Sequence, residues 1–141
     1  KIRYKEVGVE EMVVIGRGID QHTTFDDYVR QKNILVLSDK CLYMTILHNI
    51  YVSLNIEQGD IIEVGDPETL VQFALMGMGI SLVSKRIANR YNINNYLEVP
   101  STYRYTDFYL ISRLNYEFTP IEKQFIELNN SLSDTFKGME V

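Results

Sequence analysis

The chain has 141 residues, 45% of them apolar and 23% charged, which suits a folded domain with a real core and excludes a disordered segment. The net charge of −5 argues against a broad cationic footprint for duplex DNA, and the single cysteine, Cys41, excludes an internal disulfide and any CxxC metal site. No apolar run is long enough to span a bilayer and no cleavable leader opens the chain; Lys1 in place of Met predicts a processed or cut end.

In chain order, Ile2 to Val7 alternates loosely and Met12-Val13-Val14-Ile15 is a short apolar run ending at Gly16, so two β-strands are predicted, the second buried. Arg17 to Lys32 is polar and reads as a connection with a helical turn near Phe25 to Tyr28. Ile34-Leu35-Val36-Leu37 predicts a buried strand, and Ser38 or Asp39 offers an N-cap for the helix that follows. That helix is marked by Leu42, Ile46, Ile50 and Leu54, about four turns, with Gly59 and Asp60 as punctuation. Ile61 to Val64 predicts the next strand.

Asp66-Pro67-Glu68 has the form of a helix start: an acidic cap, Pro at the first helical position and an acid in the first turn. The helix runs to Gly77-Met78-Gly79, Ile80 to Val83 is a third strand, and Ser84 caps a short helix through Tyr91. Strand and helix alternate with short joints, the pattern of a parallel sheet with right-handed crossovers. Tyr96 to Pro100 is then extended, Asp107 to Ile111 is another strand, and Thr119-Pro120-Ile121-Glu122 is a capping box. It opens a last helix with Phe125, Ile126 and Leu128 on its apolar side, ending before about Asp134.

The run from Gly65 through Asp66-Pro67-Glu68-Thr69 to Gly77-Met78-Gly79-Ile80 and Lys85 resembles the centre of LysR-type effector domains, where a capped helix leads through a Gly-x-Gly-Ile turn into a buried strand. A Leu97 to Pro100 strand, a further strand and a Pro-capped terminal helix follow in the family's order. Val9 to Gly16 resembles the strand before the family's first hinge, and Asp26-Asp27-Tyr28 the stretch before the second-subdomain strand. Two features depart from the pattern. Ser84 stands where the family usually has Pro, and the winged helix-turn-helix and first βα units have no counterpart in these residues.

The resemblance implies an α/β fold of the type 2 periplasmic-binding-protein-like class, with one complete α/β subdomain and part of a second. Residues 1–24 would be the end of the first segment of subdomain I with the hinge, 25–98 subdomain II, and 99–141 the return strand and terminal helix of subdomain I. It implies a small-molecule effector, such as an organic acid or other anion, bound in a cleft between subdomains. It also implies a cytoplasmic homodimer, or a tetramer at full length, that touches DNA only through a missing N-terminal domain and touches no membrane. The strand Ile61 to Val64 and the helix after Pro67 are the expected dimer edge.

The candidate ligand residues are Ser38, Asp39, Lys40, Cys41, Thr69 and Arg104. Ser38 to Cys41 and Thr69 follow strands at the carboxyl edge, where open parallel sheets bind ligands and where helix N–H groups favour anions. The alternative for this loop is plain N-capping, as it is for Asp66 and Glu68. Arg104 offers a bidentate donor to a carboxylate, or is a solvated loop arginine. Cys41 resembles the reactive cysteine of peroxide-sensing members by position. With no second cysteine, a disulfide switch is excluded; a sulfenic-acid switch and a buried or ligand-lining thiol are the two readings left. His22 and His48 have no partner at metal spacing, and no nucleophile elbow, phosphate loop or dinucleotide motif is present, so neither a cofactor nor an enzyme is expected. The rivals are an extracytoplasmic solute-binding protein, a thiol-based sensor acting through Cys41, and a flavodoxin-like enzyme.

Overall fold

A computed structural model describes residues 1–128 and 136–140. In chain order it contains β1 (Ile2–Ile15), α1 (Phe25–Val29), β2 (Ile34–Val36), α2 (Leu42–Ser53), β3 (Ile61–Glu63), α3 (Pro67–Leu75) and β4 (Ser81–Ser84). There follow α4 (Lys85–Arg90), β5 (Leu97–Glu98), a 3-10 turn (Ser101–Tyr103), β6 (Tyr105–Arg113), α5 (Pro120–Leu128) and β7 (Lys137–Met139). The chain divides into two compact units, Glu11–Tyr105 and Lys1–Glu10 with Thr106–Val141.

In the larger unit β2 and β3 pair in parallel, with Leu35 opposite Ile62. A parallel bridge joins Ile34 to Ile80, and the Leu35 N–H donates to the Ile80 carbonyl at 2.8 Å, so β4 enters along the other side of β2. β4 and β5 each pair antiparallel with β1. The strand order is therefore β3-β2-β4-β1-β5, parallel as expected for the first three, with β1 reversed among them. The two predicted β-runs at the start of the chain are one continuous strand, because Gly8 and Val9 stay extended instead of turning.

Alternation along the strands sends side chains into two cores. Ile34, Val36, Met12, Val14 and Leu82 pack with Met44, Leu47, Ile50 and Tyr51 of α2. Leu35, Val13, Ile15 and Val83 pack with Leu70, Val71 and Ala74 of α3 and Ala88 of α4. The result is a helix-sheet-helix sandwich in which β2 is buried on both faces. Inside the first core the Tyr51 hydroxyl donates to the Val29 carbonyl at 2.7 Å, and burial pushes its pKa up to about 12.

Three helices stop in the same way. Asn55, Gly77 and Asn92 adopt positive φ (51°, 87° and 57°) just past α2, α3 and α4. After α3, Gly77 N–H donates to Ala74 and Met78 N–H to Phe73, the paired bonds of a Schellman ending. The buried Ile56 and Ile93 complete the other two, their N–H groups bonded to Tyr51 and Ala88. α2 therefore ends at Ser53, short of the Gly59 punctuation. Gly59 serves close packing instead: a Cβ there would stand 2.3 Å from the Lys32 carbonyl oxygen.

In the smaller unit β1 pairs with both β6 and β7, Arg3 facing Gly138 across the β7 ladder. Arg3 donates to Ser112 Oγ at 2.8 Å and to the Tyr116 carbonyl, and lies 4.5 Å from the Phe118 ring centroid. The predicted capping box is present: Thr119 N–H donates to Glu122 (2.8 Å) and Glu122 N–H to Thr119 Oγ1 (3.3 Å). The expected end of this helix, before Asp134, lies outside the described residues. On its apolar side Ile126 is half-buried, while Phe125 is 55% and Leu128 85% exposed. Among the described residues, every buried apolar side chain lies between Met12 and Val99.

Candidate functional site

The order β3-β2-β4 puts the carboxyl ends of three parallel strands side by side in the larger unit. Adjacent strands lie about 4.8 Å apart, so the loops that leave them form one rim. The loop after β2 is built by backbone bonds, since Cys41 N–H donates to the Ser38 carbonyl at 3.1 Å and Asp39 N–H to Glu63 Oε1 at 2.8 Å. Ser38 Oγ accepts from Lys40 N–H at 3.2 Å.

These bonds change the expected helix start. Neither Ser38 nor Asp39 caps α2; Cys41 occupies the N-cap and makes no side-chain capping bond. The segment closes a turn and ties itself to β3 before helical geometry begins at Leu42. Cys41 is half-buried against the α2 core, and Lys40 is exposed with no ion pair among the described residues.

After β3, Asp66 takes the structural role that was its alternative reading. Its carboxylate accepts from Thr69 N–H (2.9 Å) and Thr69 Oγ1 (2.7 Å). The Thr69 hydroxyl proton is thereby committed, which leaves the oxygen to act toward a ligand as an acceptor. The two bonds from Thr69 hold the Asp66 carboxyl below its ordinary value of 3.8. A depressed folded pKa gives stability that is present above the unfolded value and lost as pH falls through the folded one. Asp66→Asn is therefore expected to flatten part of the loss of melting temperature between about pH 5 and pH 2, as followed by circular dichroism. An unchanged acid limb would count against this cap.

Arg104 also lies at this end of the sheet, past β5, with Nε donating to the Val99 carbonyl (3.0 Å) and Nη2 3.5 Å from Glu98. The Arg104 carbonyl accepts from Met12 N–H at 2.7 Å, and Met12 faces Ser84 across the β1–β4 ladder.

The strand order adds two residues that pattern alone passed over. Ser84, at the tip of β4 beside β2, has its hydroxyl accepting from Ile87 N–H at 3.2 Å. Lys85 pairs with Glu11 at 3.0 Å, and that carboxylate favours its charged form. Both are visible in the sequence as a cap and a following base; what places them on the rim is the position of β4 between β2 and β1. Among the described residues no group of three His, Cys, Asp or Glu could hold a metal ion. No described helix is long and apolar enough to cross a membrane.

No family model matches the chain, and no curated protein matches it. Solved structures do. The regulatory domain of MetR from N. meningitidis, a LysR family regulator solved as a mutant, superposes with a TM-score of 0.72 at 12% identity, over 99% of this chain and 70% of that one. The chain has the fold of a LysR-family regulatory domain. The effector-binding domain of QuiR in complex with shikimate gives a TM-score of 0.68 at 20% identity, over 91% of this chain and 63% of that one. Full-length BenM gives 0.65 at 22% identity, over 90% of this chain and 47% of that one. The chain thus spans about half to two thirds of these LysR-type structures. This type 2 periplasmic-binding-protein-like architecture is the expected fold class.

Proposed function

We propose that the chain is the effector-sensing part of a LysR-type transcription regulator, binding a small organic acid at the rim of its larger unit. The observation that carries this reading is the row of three parallel strand tips, with Lys40 exposed beside Ser38 and not held by an acid among the described residues. A ligand carboxylate would find there two donors, the Lys40 ammonium and the Ser38 hydroxyl, on a preformed edge. The ligand class agrees with two similar proteins: QuiR was solved with shikimate and the BenM effector-binding domain with benzoate, both carboxylates.

The regulator acts in the cytoplasm and responds by a shift between two states that bind the effector unequally, passed to a DNA-binding domain outside these residues. It works as a homodimer. β3 is an edge strand, and its Ile61 (43% exposed) offers apolar surface for a second copy. Sedimentation showing only monomer at high concentration would count against this contact.

Isothermal titration of the chain with a panel of carboxylates tests the site. At least one is expected to bind saturably, and Lys40→Ala to weaken it about tenfold, the loss of one charge-assisted bond. The ligand-free melting temperature should stay unchanged. Binding that ignores Lys40→Ala, or a preference for amines over carboxylates, would refute the assignment.

A further inference from the structure

We propose that a pocket formed by Arg17, Lys32 and the turn Gly77 to Gly79 binds a small oxyanion of the phosphate class at the edge of the sheet opposite the rim. The pocket has a volume of about 200 Å³ and is completed by Tyr28, Met76 and Ile80. It lies where β2 and β4 begin. The rim lies where they end, about 13 Å away along four residues of strand. An occupant here is therefore distinct from the effector proposed above.

The pocket brings two cations together with no acid. None of its lining residues is acidic, and neither Arg17 nor Lys32 has a side-chain ion pair among the described residues. Two like charges in one concavity repel, and an anion between them removes that cost while gaining charge-assisted hydrogen bonds.

The walls hold the Lys32 ammonium and the backbone of Arg17. Tyr28 donates its hydroxyl proton to the Arg17 carbonyl at 2.7 Å, and its ring centroid lies 4.4 Å from Lys32 Nζ. Gly16 leaves room for that tyrosine, since a Cβ there would stand 2.3 Å from its hydroxyl oxygen. On the other wall, Gly77 has φ +87°, and a Cβ on it would stand 3.0 Å from Arg17 Cδ. The missing side chain is what lets the arginine stem lie against the turn. The volume holds several waters, and so a group the size of phosphate.

Calorimetric titration with inorganic phosphate, at low salt and against sodium chloride of matched ionic strength, tests this site. Saturable binding of phosphate and none of chloride is expected. The double variant Arg17→Gln/Lys32→Gln should weaken it at least about tenfold, and Lys32→Arg should retain it. Both residues are exposed, so the double variant should keep the circular dichroism and melting temperature of the parent. Lys40→Ala should leave phosphate binding intact, which separates this pocket from the rim. No saturable phosphate binding, or binding that survives the double variant, would overturn the proposal.

Discussion

Leu35→Ala is expected to destabilise the larger unit by about 2–5 kcal/mol, because the leucine is fully buried and its neighbours cannot all close the space it leaves. It sits in the middle of β2, between β3 and β4, and packs into the core that α3 and α4 cover. Its two flanking residues, Ile34 and Val36, face the other core. Removing it loosens one layer of the sandwich without touching the α2 layer. Urea denaturation followed by circular dichroism measures the cost. A loss below about 1 kcal/mol, with an unchanged slope against urea, would mean that β2 is not sandwiched between two layers.

Gly79→Ala is expected to cost about 1–3 kcal/mol by overpacking, from a single added methyl. A Cβ on Gly79 would stand 2.6 Å from the Asn33 carbonyl oxygen and 3.1 Å from the Leu35 side chain. The first is backbone, and that same carbonyl accepts the Ile80 N–H at 2.8 Å, so it cannot withdraw without breaking the join between β2 and β4. The effect should therefore reach the parallel pairing itself. Amide hydrogen exchange should show faster exchange at Leu35 and Ile80 in the variant than in the parent. Alanine tolerated with unchanged protection at both amides would show that β4 does not enter along β2 this closely.

The features legible in the sequence are those whose chemistry closes within one helical turn. Asp66-Pro67 and Thr119-Pro120 with Glu122 announce helix starts because the bonds that cap the helix join residues three apart. Ile34 to Val36 is legible as a buried strand because both faces demand apolar side chains. What could not be read depends on distant pairing. β7 is Lys137-Gly138-Met139, a tripeptide with no strand pattern, and it is extended because the start of β1 offers it a ladder. Ser38 and Asp39 have the right chemistry for a cap, but their loop is claimed by Glu63 from the neighbouring strand.

The site follows the same division. That residues after β2 and β3 share an edge could be anticipated from alternating strands and helices. That Arg104 joins this end of the sheet through Met12 could not, because it depends on β1 lying between β4 and β5. The Glu11–Lys85 pair was hidden for the same reason. Cys41 stands where the sequence puts it, at the start of α2, half-buried against that helix's core.

The functional reading stands or falls with the strand tips of β2, β3 and β4 receiving an anionic effector. Backbone amide resonances followed during titration with carboxylates such as shikimate and benzoate probe those tips residue by residue. Saturable shifts should gather at Ser38 to Cys41, Thr69 and Ser84 and leave Gly77 to Ile80 in place. A folded spectrum in which no carboxylate moves the rim, or in which shifts gather away from it, would rule out an effector site there.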